Sequence, residues 1–281
     1  MNHNNRIGFM QGRLSPLVGG KIQAFPASCW QEEFRTAQKL GFELMEWTLD
    51  QDKLYDNPLL TAAGQAEILG LKNICGVSVS SLTGDCFMQS PFWKMEGSEL
   101  ASLLQDFRAV AKACAAVGIV MMVVPLVDNG RLENRLQEDC LVDILKSESA
   151  FLSSLGVKVV FESDYEPAEL ARFIARLEPA LFGINYDIGN SAALGMLPAL
   201  EIAAYGDRIL NVHIKDRMLG GTTVPLGTGN ADFDTVFSAL GRIGYSGKYI
   251  LQTARAADDR HAEVLSRYRD MTVDWLARHV A

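Results

Sequence analysis

Three apolar segments in the second half of the chain each carry, at or near their end, a side chain that can bind a metal ion. VKVVFE ends at Glu162, LFGINYD ends at Asp187, and RILNVHIKD contains His213. These residues are separated by 25 (187 − 162) and 26 (213 − 187) positions, the length of one strand followed by one helix. In a closed parallel sheet the carboxyl ends of the strands lie on one face. The spacing therefore predicts a parallel βα array with polar residues gathered at one end.

The same alternation of apolar strands and longer helices extends over the whole chain, without a proline- or serine-rich linker. The predicted strands are residues 6–10, 42–49, 76–82, 119–126, 157–162, 181–187, 208–216 and 247–255. The predicted helices are residues 29–40, 61–70, 99–118, 132–156, 167–177, 231–244 and 261–277.

Eight strands in 281 residues favour an α/β fold, a single (β/α)8 TIM barrel with eight parallel strands, which takes about 250 residues. We therefore predict one domain over residues 1–281. A doubly wound open sheet is the main alternative. The GxGxxG turn typical of that fold is absent from IGFMQGRLSP, the segment that contains the first strand and the loop after it.

Composition argues against several other classes of protein. A net charge of −8 disfavours a nucleic-acid surface, which usually carries a basic excess. No apolar run reaches the roughly 18 to 20 residues of a membrane span, and MNHNNRIGFMQGRL lacks the features of a signal peptide. The five cysteines are odd in number and show no CxxC spacing, so we expect reduced thiols. These features predict a cytoplasmic protein without nucleic-acid or membrane partners, and they leave open a homo-oligomer.

The alternation of side chains along a strand places the polar residues on shared faces. Asn185 shares a face with Asp187, and His213 shares one with Lys215. A lone strand histidine is often structural, and a lysine after a strand often faces solvent. Two acids on the preceding strands favour a metal site instead, because buried acids must be paired, hydrogen-bonded or bound to a cation.

A fourth donor follows in the last predicted strand, where Gln252 occupies the corresponding position. Together with this amide oxygen, Glu162, Asp187 and His213 form a mixed oxygen and nitrogen set. Such a set suits one divalent ion, Mn²⁺, Mg²⁺, Co²⁺ or Zn²⁺.

The HIKD segment, these strand-end residues and the downstream PLGTGNADFDTVFSAL resemble the xylose isomerase-like barrels, and more narrowly the sugar phosphate isomerase/epimerase superfamily. The resemblance covers nearly the whole chain. It implies a sugar or sugar-phosphate substrate and metal ligands at Glu162, Asp187 and His213. It also implies a glutamate on the eighth strand, where this sequence has Gln252.

The substitution at the eighth strand matters for chemistry. The ketose 3-epimerases of this superfamily use the glutamates of strands five and eight as opposed acid/base groups, and glutamine cannot take a proton at neutral pH. A single base suffices for a 1,2 proton shift or for elimination of water next to a carbonyl. We therefore predict Glu162 as the catalytic base, with Lys215 or Glu46 as its proton partner.

Other side chains are predicted to contact the substrate. Arg13, Arg217 and Arg255 follow predicted strands and would form an anion pocket for a phosphate or carboxylate. Glu46 is expected either to contact substrate, to support the metal site from behind, or to form a salt bridge across the barrel. Asn190 stands where the epimerases tend to have a substrate-binding histidine.

The favoured function is thus a metal-dependent isomerase or epimerase that abstracts a proton next to a carbonyl. A dehydratase of a keto-polyol such as an inosose is a close alternative. A non-catalytic carbohydrate-binding barrel is another, since the strand-eight glutamate is missing. DNA repair of the endonuclease IV type is disfavoured, because that chemistry needs a richer histidine set and a basic face, and the chain has four histidines.

Overall fold

The apolar strand segments form the wall of a closed parallel barrel in the computed structural model, which describes residues 4–280. The strands are β1 (Ile7–Met10), β2 (Leu44–Thr48), β3 (Ser78–Thr83), β4 (Met121–Leu126), β5 (Lys158–Ser163), β6 (Phe182–Asp187), β7 (Ile209–Ile214), β8 (Asp216–Arg217), β9 (Thr223–Val224) and β10 (Lys248–Leu251). Strands β1 to β7 and β10 close the barrel, while β8 and β9 form a small antiparallel hairpin. The predicted eight-stranded TIM barrel is confirmed.

Helices follow the barrel strands. They are α1 (Trp30–Leu40), α2 (Ala62–Cys75), α3 (Asp85–Gln89), α4 (Gly97–Val117), α5 (Arg135–Leu155), α6 (Pro167–Ile174), α7 (Ile188–Leu194), α8 (Pro198–Tyr205), α9 (Phe233–Arg242) and α10 (His261–His279). Short 3-10 turns occur at Asn4–Arg6, Leu54–Asp56, Pro58–Leu60, Phe92–Lys94, Asp128–Gly130 and Gly206–Arg208. Within the described residues, none of the helices combines the length and the apolarity that crossing a membrane requires.

Four short elements differ from the expectation. Helices α3, α7 and α8 and the β8–β9 hairpin were not predicted, because they are short and lie in segments that were read as loops or strand ends. The predicted seventh strand, 208–216, divides into β7 and β8. The predicted eighth strand ends at Leu251, so Gln252 lies just beyond β10 rather than inside it.

The inside of the barrel has an apolar floor and a polar upper part. Met10, Leu44 and Ile250 form a small buried cluster of their own. Leu44 and Ile250 precede Glu46 and Gln252 by two residues, so each pair shares one face of its strand. Leu44 and Ile250 therefore lie one side-chain step below the polar residues, which face the carboxyl ends of the strands.

Candidate metal centre and active site

Glu162, Asp187 and His213 meet at the carboxyl end of the barrel, on β5, β6 and β7. One potential ligand atom of each lies within 4.8 Å of the others, and all three residues are buried. His213 Nδ1 is 3.3 Å from Glu162 Oε2 and 3.9 Å from Asp187 Oδ2. The register of the sheet pairs Asp187 with His213, which is why residues 26 positions apart become neighbours (213 − 187). Two carboxylate oxygens and one imidazole nitrogen are a donor set that fits a divalent cation.

The imidazole of His213 is held from behind by Glu46. Its Nε2 lies 2.7 Å from Glu46 Oε1, so the opposite nitrogen, Nδ1, faces Glu162 and Asp187. A carboxylate behind a histidine fixes the ring orientation and the tautomer at metal sites. Burial alone would lower the pKa of His213, but the carboxylates of Glu46 and Glu162 outweigh it and raise that pKa to about 10.

Glu46 itself is completely buried in a polar layer beneath the mouth. Its carboxylate accepts hydrogen bonds from Ser81 Oγ at 2.7 Å and Asn211 Nδ2 at 3.0 Å, and also from Thr83. Burial raises the pKa of Glu46, but His213, Ser81 and Thr83 more than offset that effect and hold the pKa below its usual value. Among the roles expected for Glu46, this placement favours support of His213 over direct contact with a substrate.

Lys215 points into the mouth of the barrel. Its Nζ donates to Asp187 Oδ2 at 2.9 Å, to Asn190 Oδ1 at 3.1 Å and to Gln252 Oε1 at 3.2 Å, which uses all three of its N–H groups. The alternative of a solvent-facing lysine is therefore wrong. The backbone N–H of Gln252 donates to Ile214 O at 3.0 Å, so Gln252 lies beside Lys215 rather than beside His213. Its role as a fourth metal ligand stays a prediction.

Asn190 connects the start of α7 to the site. Its Nδ2 donates to Glu162 Oε1 at 2.6 Å, and its backbone N–H donates to Asp187 Oδ1, the N-cap of α7, at 2.8 Å. The preceding residue is Gly189, where an added Cβ would lie 2.6 Å from Lys215 Cγ. The absence of a side chain at Gly189 therefore lets the first turn of α7 approach the stem of Lys215.

The three arginines of the predicted anion pocket have protein partners at the edge of the mouth. Arg217 donates to Asn190 Oδ1 at 2.8 Å and to Gly221 O. Arg13 donates to Thr253 O at 2.9 Å and lines the same small cavity as Arg255, which contacts Ser15 O. Burial and the nearby charge of Arg255 lower the pKa of Arg13 to about 9. Anion binding by these groups stays a prediction.

Two further residues of the mouth, Gln23 and Asp85, were not among the predicted site residues. Gln23 lies in the loop after β1, and its Oε1 accepts from Gln252 Nε2 at 2.9 Å. Its Nε2 donates to Asp85 Oδ2 at 2.6 Å, at the start of α3. Asp85 follows β3 by two residues, a position at the active face that is visible in the sequence. The path of the Gln23 loop has no comparable signal.

Comparison with known proteins agrees with this architecture. The family model described as a xylose isomerase-like TIM barrel matches residues 34–271. L-ribulose-5-phosphate 3-epimerase UlaE of Shigella flexneri serotype 5b is 26% identical over 277 residues, covering 92% of this chain and 93% of the relative.

Solved structures give the same fold. The IOLI protein with a bound zinc atom superimposes with a TM-score of 0.76 at 17% identity, covering 98% of this chain and 99% of that chain. A structure of L-ribulose 3-epimerase gives 0.74 at 15% identity, with coverages of 98% and 95%. At these identities the structural likeness concerns the fold. The relative UlaE, which is named as an epimerase, agrees with the prediction of an isomerase or epimerase enzyme.

Proposed function

The chain belongs to the xylose isomerase-like TIM barrel family, and we propose that it is a metal-dependent sugar or sugar-phosphate isomerase or epimerase. The observation that carries this proposal is the convergence of Glu162, Asp187 and His213 at the mouth of the barrel. The name of the relative UlaE, a ribulose-phosphate 3-epimerase, supports a phosphorylated or free ketose as the substrate class.

Glu162, Asp187 and His213 would hold the cation, since Nδ1 of His213 is turned toward both carboxylates. A bound divalent cation would polarise the substrate carbonyl and stabilise negative charge on the neighbouring oxygens. Metal binding by these residues would also require loss of the proton that the raised pKa of His213 keeps on the ring, which would leave Nδ1 free while Nε2 donates to Glu46.

Glu162 is the proposed catalytic base. Its two oxygens are fixed by different amides, because Oε1 accepts from Asn190 and Oε2 accepts from Asn185 at 3.0 Å. Oε2 is the oxygen nearest His213 Nδ1, so Oε1 remains for proton transfer while Oε2 faces the metal site. A carboxylate held in this way can take a proton from a carbon next to a carbonyl.

Lys215 and Arg217 supply positive charge around the same space. Lys215 Nζ is surrounded by three side-chain oxygens of the mouth, and Arg217 reaches Asn190 from the β8–β9 hairpin. Both groups are placed to bind hydroxyl or phosphate oxygens of a sugar by exchanging protein acceptors for substrate acceptors.

Solvent-deuterium incorporation tests the proposed function. The protein is incubated with Mn²⁺ in deuterated water with ketoses, ketose phosphates and inososes, and deuterium next to the carbonyl is measured by NMR. We expect exchange with wild type and a loss of at least about 100-fold in Glu162→Gln, the range for removal of a general base. Glu166→Gln makes the same replacement of a carboxylate by an amide, at an exposed residue just after β5. This variant is the matched control and should exchange deuterium at the wild-type rate. Equal exchange in wild type and Glu162→Gln would contradict the assignment.

A keto-polyol dehydratase is the second candidate, and Gln252 is the observation that favours it. Elimination of water needs one base, whereas inversion at carbon needs an acid/base group on each face of that carbon. The amide of Gln252 cannot serve as the second group. The inososes in the panel separate the two functions, since a dehydratase releases an unsaturated or diketo product. Binding of a ketose without any exchange would favour the non-catalytic carbohydrate-binding alternative.

A further inference from the structure

We propose that Asp85 is a second acid/base group of this active site and that it performs the proton transfer that Gln252 cannot. This inference rests on the proposed function and deepens it, because a second proton-transfer group makes the reaction an epimerisation. The argument depends on the hydrogen bonds of Asp85, on its burial and on the charges that face it.

A short chain of hydrogen bonds joins Gln252 to Asp85. Gln252 Nε2 donates to Gln23 Oε1 at 2.9 Å, and Gln23 Nε2 donates to Asp85 Oδ2 at 2.6 Å. Gln23, in the loop after β1, thus links a carboxylate at the β3 end of the barrel to Gln252 at the β10 end. Glu162 lies on β5, two strands from β3 in the barrel, so the two carboxylates reach the mouth from different strands.

Asp85 has too few partners for a purely structural carboxylate. It is 8% exposed, and in the described part of the chain Gln23 Nε2 is the one hydrogen-bond donor to its side chain. Other buried acids of the protein are better satisfied: Glu33 accepts from the backbone N–H groups of Gly12 and Leu14, and Glu46 accepts from four side chains. The second oxygen of Asp85 therefore remains for a ligand.

The environment of Asp85 permits it to carry a proton near neutral pH. Burial raises its pKa to about 7, and the negative charges of Asp50 and Glu162 act in the same direction. The hydrogen bond from Gln23 and the charge of Lys215 oppose this shift. Arg13 also lies within electrostatic range of Asp85. A group whose pKa is near the working pH is a competent proton donor and acceptor.

Lys215 is less suited to this role by geometry. All three of its N–H groups are engaged by Asp187, Asn190 and Gln252, whereas one oxygen of the Asp85 carboxylate has no donor among residues 4–280. We therefore assign substrate binding to Lys215 and proton transfer to Asp85.

The reaction step balances without a further reactant. Glu162 removes the proton from the carbon next to the carbonyl, and the electron pair of that C–H bond moves into the enediolate. Protonated Asp85 then delivers its proton to the other face of the same carbon, and the enediolate electron pair forms the new C–H bond. Glu162 is left protonated and Asp85 ionised, and exchange with water restores both.

The test compares epimer formation with isotope exchange, using the panel ketose that wild type exchanges fastest. In deuterated water with Mn²⁺, Asp85→Asn should form the epimer at least about 100-fold more slowly, while deuterium still enters the starting ketose within about tenfold of the wild-type rate. Glu162→Gln should lose both. Asp128→Asn makes the same replacement at an exposed residue just after β4. This variant is the matched control and should retain both epimer formation and deuterium exchange.

The outcomes separate the two proposals. Unchanged epimer formation in Asp85→Asn would overturn the role of Asp85 and leave the proposed function standing. Equal loss of exchange and of epimer in a variant that still unfolds cooperatively would also overturn it, because the first proton removal would then need Asp85. A wild-type protein that exchanges no ketose of the panel would overturn the proposed function and this inference together.

Discussion

His213 is the residue through which the lower part of the barrel and the active face are connected. One nitrogen contacts Glu46 in the buried polar layer, and the other faces Glu162 and Asp187. A ring fixed on both sides loses little freedom when a ligand binds, so the site is preorganised. The cost of this arrangement is a group of buried ionisable side chains that depend on one another.

Asp85 should reduce the stability of the folded protein at neutral and alkaline pH. Its pKa rises from 3.8 unfolded to about 7 folded, so the folded state resists its ionisation. A raised carboxyl pKa means that the group's penalty is absent below pH 3.8 and grows as pH rises toward 7. The Asp85→Asn variant has no carboxyl group at this position to ionise. The difference between its free energy of unfolding and that of wild type should therefore increase by about 2 to 3 kcal/mol between pH 5 and pH 8.

Urea unfolding at the two pH values, in the presence of a chelator, measures this change. Asp128→Asn serves again as the control for replacing an exposed aspartate by asparagine. A difference between Asp85→Asn and wild type that stays constant from pH 5 to pH 8 would speak against the raised pKa.

The candidate site could be predicted in part from single residues. Glu162, Asp187, His213 and Lys215 lie at or just after the ends of apolar strands, and the strand face they share is set by alternation, so their convergence follows from the fold. Asp85 carried the same signal more weakly because it begins a helix too short to recognise. The contact of Gln23 with Gln252 depends on the path of a loop, for which the sequence has no periodic pattern.

At the scale of elements, two glycines of α2 should respond in opposite ways to alanine. A Cβ at Gly64 would lie 2.2 Å from the carbonyl oxygen of Pro58, while a Cβ at Gly70 would have no described atom within 4 Å apart from the adjacent backbone of its own helix. Alanine is favoured over glycine inside a helix by about 1 kcal/mol. At Gly64 the clash with rigid backbone should exceed that gain, and the net destabilisation should be about 1 to 3 kcal/mol.

Gly70→Ala is the matched control in the same helix and should stabilise the protein by up to about 1 kcal/mol. Both free energies of unfolding are obtained from urea titrations at one pH. The interpretation of a close backbone approach at Gly64 would be wrong if both variants were stabilised equally.

Elements were predictable where they are long. The 21-residue helices α4 and α5 end before Gly118 and Gly156, as expected, since both glycines have left-handed backbone angles. Helix α7 has seven residues and follows β6 without a loop, so its N-cap, Asp187, is also a strand-end residue. A single residue with both functions is not separable by pattern, and the helix was therefore missed.

At the scale of the whole molecule, metal binding should stabilise the barrel against unfolding. The candidate ligands come from three strands and are brought together only in the folded chain, so a cation binds the native state preferentially. At a free Mn²⁺ concentration 100 times the dissociation constant, the expected gain is about 2.7 kcal/mol.

Calorimetric unfolding with and without Mn²⁺ measures this gain, and isothermal titration supplies the dissociation constant. Asp187→Asn should lose most of the effect, and it retains an oxygen that can cap α7. Glu166→Gln should respond to the cation as wild type does. A rise in melting temperature that is the same in all three proteins would locate the cation elsewhere.

The close approach at Gly189 has a consequence for how a lineage carrying this site can change. A Cβ there would lie 2.6 Å from Lys215 Cγ and 2.9 Å from its Cβ, so even alanine would separate α7 from the end of β7. That separation would move Asp187 and Asn190 away from Lys215 in a single step. Descendants can therefore diversify the surrounding loops and acquire new sugars, while position 189 stays glycine for as long as α7 keeps this distance from the end of β7.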